Sequence, residues 1–479
     1  MGKGEMNYLQ IRGDRNWVQL KSVSSESSEG KINTEPRFEI TDDQTLSWLS
    51  NSSDKSNITF ADLRKGIEPW LTSLFQSEHL SLLIGSGLSM SLQNIAGVIS
   101  SNAMATPELN TVYSDKIKTA AAISAQKSGH GSNPNIEDYI RVINELLVGL
   151  RILGHNEKST EDYDRKNYDA LYNDLNKIIK DFATSISKIE NSIAVASKRE
   201  SAFNYLVNFL MSFASRTGTR DRLNIFTTNY DRIIEAGAEF AGLRLIDRFV
   251  GTLTPIFNSS RIDIDMHYNP PGIRGEPRYL EGVARYTKLH GSIDWVDLNH
   301  TIRRIGLPFG ALDIKPYFAV NGLPEVSVDN AIIYPNSSKD RETAEYPFVE
   351  LFRDLAATLC RPNSTLVTYG YGFGDEHINR IISDMLTVPS THLIILAYSD
   401  SENRIKSFIE KIGRPSQLSI LLGKNIADFK VLVDHFLPKP SIDKASIRMS
   451  DLIKQRYSEI ISEPTKQEDK SNDNTSSAS

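Results

Sequence analysis

The stretch LSLLIGSGLS, residues 80–89, decides how the rest of the chain is read. Its first half, residues 80–84, is an apolar run of strand length that stops at Gly85-Ser86-Gly87. An uninterrupted apolar run closed by a turn signal fits a strand buried on both faces. Gly-x-Gly between such a strand and a helix lets backbone N–H groups approach a phosphate at the helix N-terminus. Met90 stands where the third glycine of the dinucleotide fingerprint would fall. Taken alone, the turn therefore reads first as a plain strand-to-helix connection.

Working outward, similar runs recur at residues 223–227, 286–289, 365–369 and 392–398, with a possible sixth at 418–422. Helical periodicity separates several of them, at 231–240, 348–359, 377–386 and 403–412. Short apolar strands alternating with amphipathic helices predict a parallel sheet covered on both faces. Two stretches interrupt the rhythm. Residues 91–220 read as a mainly helical insertion, clearest at 137–150, 168–189 and 202–213. Residues 243–285 read as loop-rich, with Asn269-Pro270-Pro271-Gly272 as a turn cluster. The main domain is thus expected over 61–430, opening with a helix at 61–76. Residues 1–60 read as a polar N-terminal extension with a linker-like segment at 22–35. Residues 431–462 are expected to form a C-terminal helical segment, and the polar tail 463–479 to be disordered.

Composition excludes several classes. The chain has 479 residues, enough for two or three domains. With 39% hydrophobic and 24% charged residues it can build a packed core. A net charge of −6 argues against direct nucleic-acid binding through a global basic field. The single cysteine, Cys360, can form neither an internal disulfide nor a four-cysteine zinc site. The opening residues lack a signal-peptide core, and no apolar stretch nears the roughly 20 residues of a membrane span. The expectation is a cytoplasmic protein without membrane association.

Three further segments follow strands and carry polar groups. Thr227-Thr228-Asn229-Tyr230-Asp231 sits at a strand's C-terminal end, where open α/β folds bind ligands, although Asn229 and Asp231 are also ordinary helix-capping residues. Leu289-His290-Gly291-Ser292 offers an imidazole suited to proton transfer near neutrality, with a glycine that leaves room beside it. Gly370-Tyr371-Gly372-Phe373-Gly374-Asp375 is a glycine-rich turn able to cradle a ribose or phosphate, with Asp375 placed to start a helix.

In this order, GSGLS (85–89), TTNYD (227–231), LHGS (289–292) and GYGFGDEHIN (370–379) resemble the sirtuin motifs. The resemblance covers roughly residues 78–400, and the last segment looks most like sirtuin-like proteins of bacterial anti-phage defence. It implies a sirtuin-like Rossmann domain with a parallel sheet and a mainly helical inserted module, without a zinc ribbon. It implies NAD as substrate and no metal. It also implies that Asn229 and His290 are catalytic, with Gly85, Ser86, Gly87, Ser89, Thr228, Asp231, Gly370, Gly372 and Phe373 contacting NAD. Gly85, Ser86, Gly87 and Ser89 would line the pyrophosphate, Asp231 would hold the nicotinamide carboxamide, and Gly370, Gly372 and Phe373 would meet the adenosine half. The implied activity is NAD hydrolysis at the nicotinamide–ribose bond, depleting NAD in defence. The alternatives are an NAD-dependent protein deacylase, which the missing cysteines disfavour, and a non-catalytic NAD or ADP-ribose sensor. The resemblance further suggests a homo-oligomer, with a HerA-type ATPase or an Argonaute-like protein as candidate partners.

Overall fold

Four strands with almost no exposed side chains set the frame: β4 (His79–Ile84), β5 (Leu223–Thr227), β14 (Ser364–Tyr369) and β15 (His392–Ala397). The computed structural model describes residues 5–11, 14, 16–23, 36–41, 44–49, 55–99, 106–127, 134–153, 161–214, 221–268, 278–298, 301–312, 317, 346–400 and 402–439. Ahead of β4 come β1 (Met6–Gln10), β2 (Val18–Val23) and β3 (Arg37–Ile40). Between β5 and β14 come β6 (Arg244–Ile246), β7 (Phe249–Val250), β8 (Ile256–Phe257), β9 (His267–Tyr268), β10 (Arg278–Tyr279), β11 (Val283–Lys288), β12 (Trp295–Leu298) and β13 (Thr301–Arg304). The last strand is β16 (Leu418–Leu422).

Ten of these strands form one sheet in the order β3-β2-β1-β16-β15-β14-β4-β5-β11-β6. From β16 to β6 every neighbouring pair is parallel. The chain leaves β4 toward β5 and β11 on one side, while β14 lies on the other, so the strand order reverses beside β4. Open α/β sheets bind ligands outside the strand ends at such a point. The expected parallel α/β sheet is observed.

The helices are α1 (Phe60–Phe75), α2 (Gly87–Ala96), α3 (Ser114–Lys127), α4 (Ile136–Leu153), α5 (Glu161–Ala194), α6 (Arg199–Ala214), α7 (Ile233–Ala241), α8 (Phe348–Leu359), α9 (Glu376–Met385) and α10 (Arg404–Ile412). One sheet face packs on α1, α2, α6 and α7 through Leu63, Leu88, Phe209 and Ile234. The other packs on α8, α9 and α10 through Leu355, Ile382 and Phe408. Helices α3, α4 and α5 form a third core with Ile140, Leu175 and Ile186, which also takes in Tyr230, Ile293 and Val296. Among the described residues no helix is long and apolar enough to cross a membrane.

The structure corrects three expectations. Residues 1–60 are more than a polar extension, because β1 pairs antiparallel with β16 (Tyr8 opposite Leu422) and β2 and β3 extend the sheet. Their apolar signal is diluted by buried polar side chains. Asn7 Nδ2 donates to Leu20 O at 3.2 Å and Gln10 Nε2 to Asp14 O at 2.7 Å, so the amide N–H groups of both have partners in the fold. The loop-rich stretch 243–285 contains β6, which completes the main sheet. It also holds β7 and β8, which join β12 and β13 in a second sheet. The helix expected from 231 begins at Ile233, because the Asp231 side chain accepts from Ile233 N at 3.2 Å. The turn cluster 269–272, the segment 24–35 and everything from 440 onward lie outside the described residues. Before that limit the chain makes a short helix at Phe429–Val431 and a wider turn at Leu432–Phe436.

One buried histidine gives the sheet a pH dependence. Ser419 Oγ accepts from Trp70 Nε1, which can only donate, at 2.8 Å. Its single proton is then given to His392 Nε2, also at 2.8 Å. Burial pushes the His392 imidazole down from 6.5 to about 4. The folded protein thus binds this proton less well than the unfolded chain. The contribution is complete above pH 6.5 and is lost as the pH falls toward about 4. The loss should reach about 3 kcal/mol when complete. Urea unfolding near pH 7 and at about pH 5 should show a steeper acid loss for the parent than for His392→Gln. Equal slopes would show that His392 is not the group responsible.

Candidate functional site

The register places four strand ends in one line. Tyr369 is opposite Ile84, Ile84 opposite Thr227, and Thr227 opposite Lys288. The next residues, Gly370, Gly85, Thr228 and Leu289, therefore open four loops along one sheet edge. These are the loops that carry the motif segments.

The loops after β4 and β14 touch through backbone. Gly87 N donates to Gly370 O at 3.1 Å, and Gly85 N to Tyr369 O at 3.0 Å. A Cβ on Gly85 would lie 2.4 Å from Gly370 O, and one on Gly87 2.6 Å from Gly370 Cα. Glycine at both positions is thus required by close approach. Ser86 is exposed at the start of α2, and its side chain makes no capping bond.

The loop after β5 is bonded into the same place. Asn229 Nδ2 donates to Gly85 O at 3.1 Å and to Ser89 Oγ at 3.2 Å. Its backbone N–H donates to Thr227 Oγ1 at 3.0 Å. Ser89 Oγ in turn donates to Asp231 Oδ2 at 2.6 Å. Gly85, Ser89, Asn229 and Asp231 thus form one network at the end of β4 and β5, and the amide atom it leaves uncommitted is Asn229 Oδ1. Burial pushes the Asp231 carboxyl up, while Lys288 and the Ser89 hydroxyl pull it back. Lys288, 2% exposed, donates to Asp231 O and lies 3.2 Å from Glu235 Oε1. Thr228 is half-buried, and its N–H donates to Ile84 O at 3.1 Å.

His290, just past β11, meets Asp375, with Nε2 and Oδ2 3.0 Å apart. Asp375 also starts α9, its Oδ1 accepting from His377 N at 2.8 Å and Ile378 N at 3.2 Å. The carboxylate is thereby anchored before it meets the ring. A base oriented by a fixed carboxylate is the arrangement of acid–base and nucleophilic sites. A carboxylate only accepts, so Nε2 carries the ring proton and Nδ1 is the acceptor of the neutral imidazole. The Tyr230 ring lies between the two loops, 6.2 Å from that of His290.

The late glycine turn divides the expected contacts. Gly372 is exposed, with open space where a Cβ would be. The Phe373 ring, expected to meet an adenosine, is 4% exposed and packs on Tyr371 and Phe408 at centroid distances of 4.9 and 4.8 Å. Phe373 sits at φ 52°, which turns its side chain into the apolar core and leaves backbone as its offering to a ligand.

Sequence reading missed the partner role of Asp375, which shows locally only as a helix start. It also missed Lys288, Tyr230, Arg232 and Glu190. Arg232 bonds Glu190 of α5, with Nη2 and Oε2 2.6 Å apart, a pairing across 42 positions that no local spacing announces. Among the described residues no cluster of three or more His, Cys, Asp or Glu is placed to hold a metal ion.

No curated protein matches the chain. The family model of the SIR2-like domain matches residues 223–414, taking in the Asn229, His290 and Gly370 loops, with the Gly85–Ser89 turn ahead of it in sequence and bonded to it in space. The parallel sheet, the four loops at its edge and this match together identify a SIR2-like domain over residues 223–414, which supports a sirtuin-like family.

Proposed function

We propose that the chain hydrolyses NAD at the bond between nicotinamide and ribose, and that this depletes NAD in anti-phage defence. The SIR2-like family includes NAD-dependent enzymes, which supports the coarser part of this reading. The observation that carries it is the meeting of Asn229 with Gly85 and Ser89 at the switch point of the sheet, one strand away from a carboxylate-anchored His290. Two features suit a dinucleotide. Helix α2 begins at an exposed Ser86, and a helix N-terminus favours a phosphate. Gly372 leaves its side-chain space open for a sugar or base.

In this reading the C1′–N bond breaks and its electron pair neutralises the pyridinium, leaving nicotinamide. The ribose C1′ becomes oxocarbenium-like, and water adds there and loses a proton. Acceleration requires that the site favour this state over bound NAD. Asn229 Oδ1 orients the water and faces the developing positive charge. His290 takes a proton from a ribose hydroxyl or from the water, while Asp375 holds the ring. Asp231, engaged with Ser89 and Ile233 N, braces the network that aims the Asn229 amide, and the Asp231 loop grips the carboxamide. Self-assembly, or assembly with a HerA-type ATPase or an Argonaute-like protein, belongs to the same proposal as its means of control.

Chromatography of NAD after incubation with the protein, alone and with its genomic neighbours, tests this. Equimolar nicotinamide and ADP-ribose, or a cyclic form of it, are expected. Intact NAD under every condition overturns the reading. Turnover that requires an acyl-lysine peptide points to deacylation instead.

A further inference from the structure

We propose that the helical insertion is the positioning device of this site, acting through Glu190, Arg232 and Tyr230 on the backbone of both the Asn229 and the His290 loops. The kinetic part of the inference rests on the function proposed above, whereas the structural part stands without it.

The side chains of residues 229–232 divide between two sets of partners. Asn229 and Asp231 both bond to Ser89 on the sheet side. Tyr230 and Arg232 engage the insertion. The Tyr230 hydroxyl bonds Glu137 of α4 at 3.3 Å, and its ring meets Phe182 of α5 edge-on at 5.2 Å. Arg232 bonds Glu190 of α5 through Nε at 3.2 Å and Nη2 at 2.6 Å, and donates to Leu307 O and Pro308 O.

Glu190 is fully buried and also holds main chain. It accepts from Arg232 N at 2.7 Å and from Gly310 N at 3.2 Å. A buried ion pair of this kind adds little net stability over an apolar replacement, but it demands one geometry. Here that geometry fixes the peptide beside Asp231.

The second loop is tied to the first. Tyr230 O accepts from Ile293 N at 3.2 Å and from Ser292 Oγ at 3.3 Å, just past His290. The Ile293 and Val296 side chains sit in the same core as Ile140 and Ile186 of the insertion. Helix α5 therefore bears on both loops, directly on one and through Tyr230 on the other. Moving α5 against the sheet changes the spacing of the Asn229 amide and the His290 imidazole.

Hydrogen exchange on the full chain, followed by mass spectrometry, tests the structural part in Glu190→Gln and Tyr230→Leu. Exchange should rise about tenfold in residues 228–232 and also in 289–293, with β4 and β14 unchanged. For nicotinamide release, kcat should fall about tenfold while KM for NAD stays within about twofold. If Glu190→Gln does not fold, Tyr230→Phe, which removes the hydroxyl bonded to Glu137, should show the same pattern at about threefold. Faster exchange confined to 187–193 and 308–310, with both site loops protected, overturns the proposal. So does a full kcat in folded variants with lowered melting temperature, the mark of a purely structural pair. A parent protein that never cleaves NAD ends the functional reading, and the exchange result still decides this one.

Discussion

Asn229→Ala and His290→Ala should each lower nicotinamide release from NAD by about 10²–10³-fold, the loss typical of a positioned dipole or proton acceptor. Asn229 is 6% exposed, and its amide N–H bonds are committed to Gly85 O and Ser89 Oγ. The substitution therefore removes Oδ1 and also loosens the turn after β4. It should cost about 1 kcal/mol of stability, too little to explain the rate loss. His290→Ala leaves Asp375 its bonds to His377 N and Ile378 N, so α9 keeps its start. Steady-state rates beside melting curves for both variants separate chemistry from folding. Full activity in either variant, with an unchanged melting temperature, would remove that residue from the mechanism.

The second large effect is expected at Gly370. It sits at φ 61°, and a Cβ there would lie 2.7 Å from Gly87 Cα and 2.9 Å from Leu88 N. Gly370→Ala adds backbone strain to a clash with main chain, for about 2–4 kcal/mol of destabilisation. At Gly372, two residues on, a Cβ would meet nothing within 4 Å, so Gly372→Ala should change stability by less than about 0.5 kcal/mol. A larger side chain in that open space, as in Gly372→Leu, should raise KM for NAD while the protein folds normally. Urea unfolding of Gly370→Ala and Gly372→Ala, with KM for Gly372→Leu, tests the pair. Equal stability losses at the two glycines would contradict the backbone-contact explanation, and an unchanged KM in Gly372→Leu would place NAD elsewhere.

Much of the frame was legible because burial on both faces leaves a plain signature. The apolar runs at 223–227 and 418–422 match their strands to the residue, and the helix at 348–359 does the same. The run at 80–84 is one residue short, since β4 begins with the half-buried His79. The strands β1 to β3 escaped because Asn7 and Gln10 are buried polar residues whose amide N–H groups donate to partners distant in sequence. The position of the Phe373 ring was not legible either, since apolar packing on Tyr371 and Phe408 buries it. The bond between His290 and Asp375 spans 85 positions. No spacing rule reaches that far.

By itself the sequence determined the alternation of strand and helix, the positions of the glycine turns and the exclusion of a four-cysteine zinc site. Each of these depends on residues near one another or on composition. Only the tertiary structure decided that Asn229 hangs from Gly85 and Ser89, that Asp375 holds His290, and that Glu190 of a helix far upstream seats Arg232. The first two pairings follow from the strand order β14-β4-β5-β11, which brings four remote loops to one edge, and the third from the packing of α5 beside them. A chain's local pattern selects its strands, but which strands become neighbours is settled by packing both sheet faces at once.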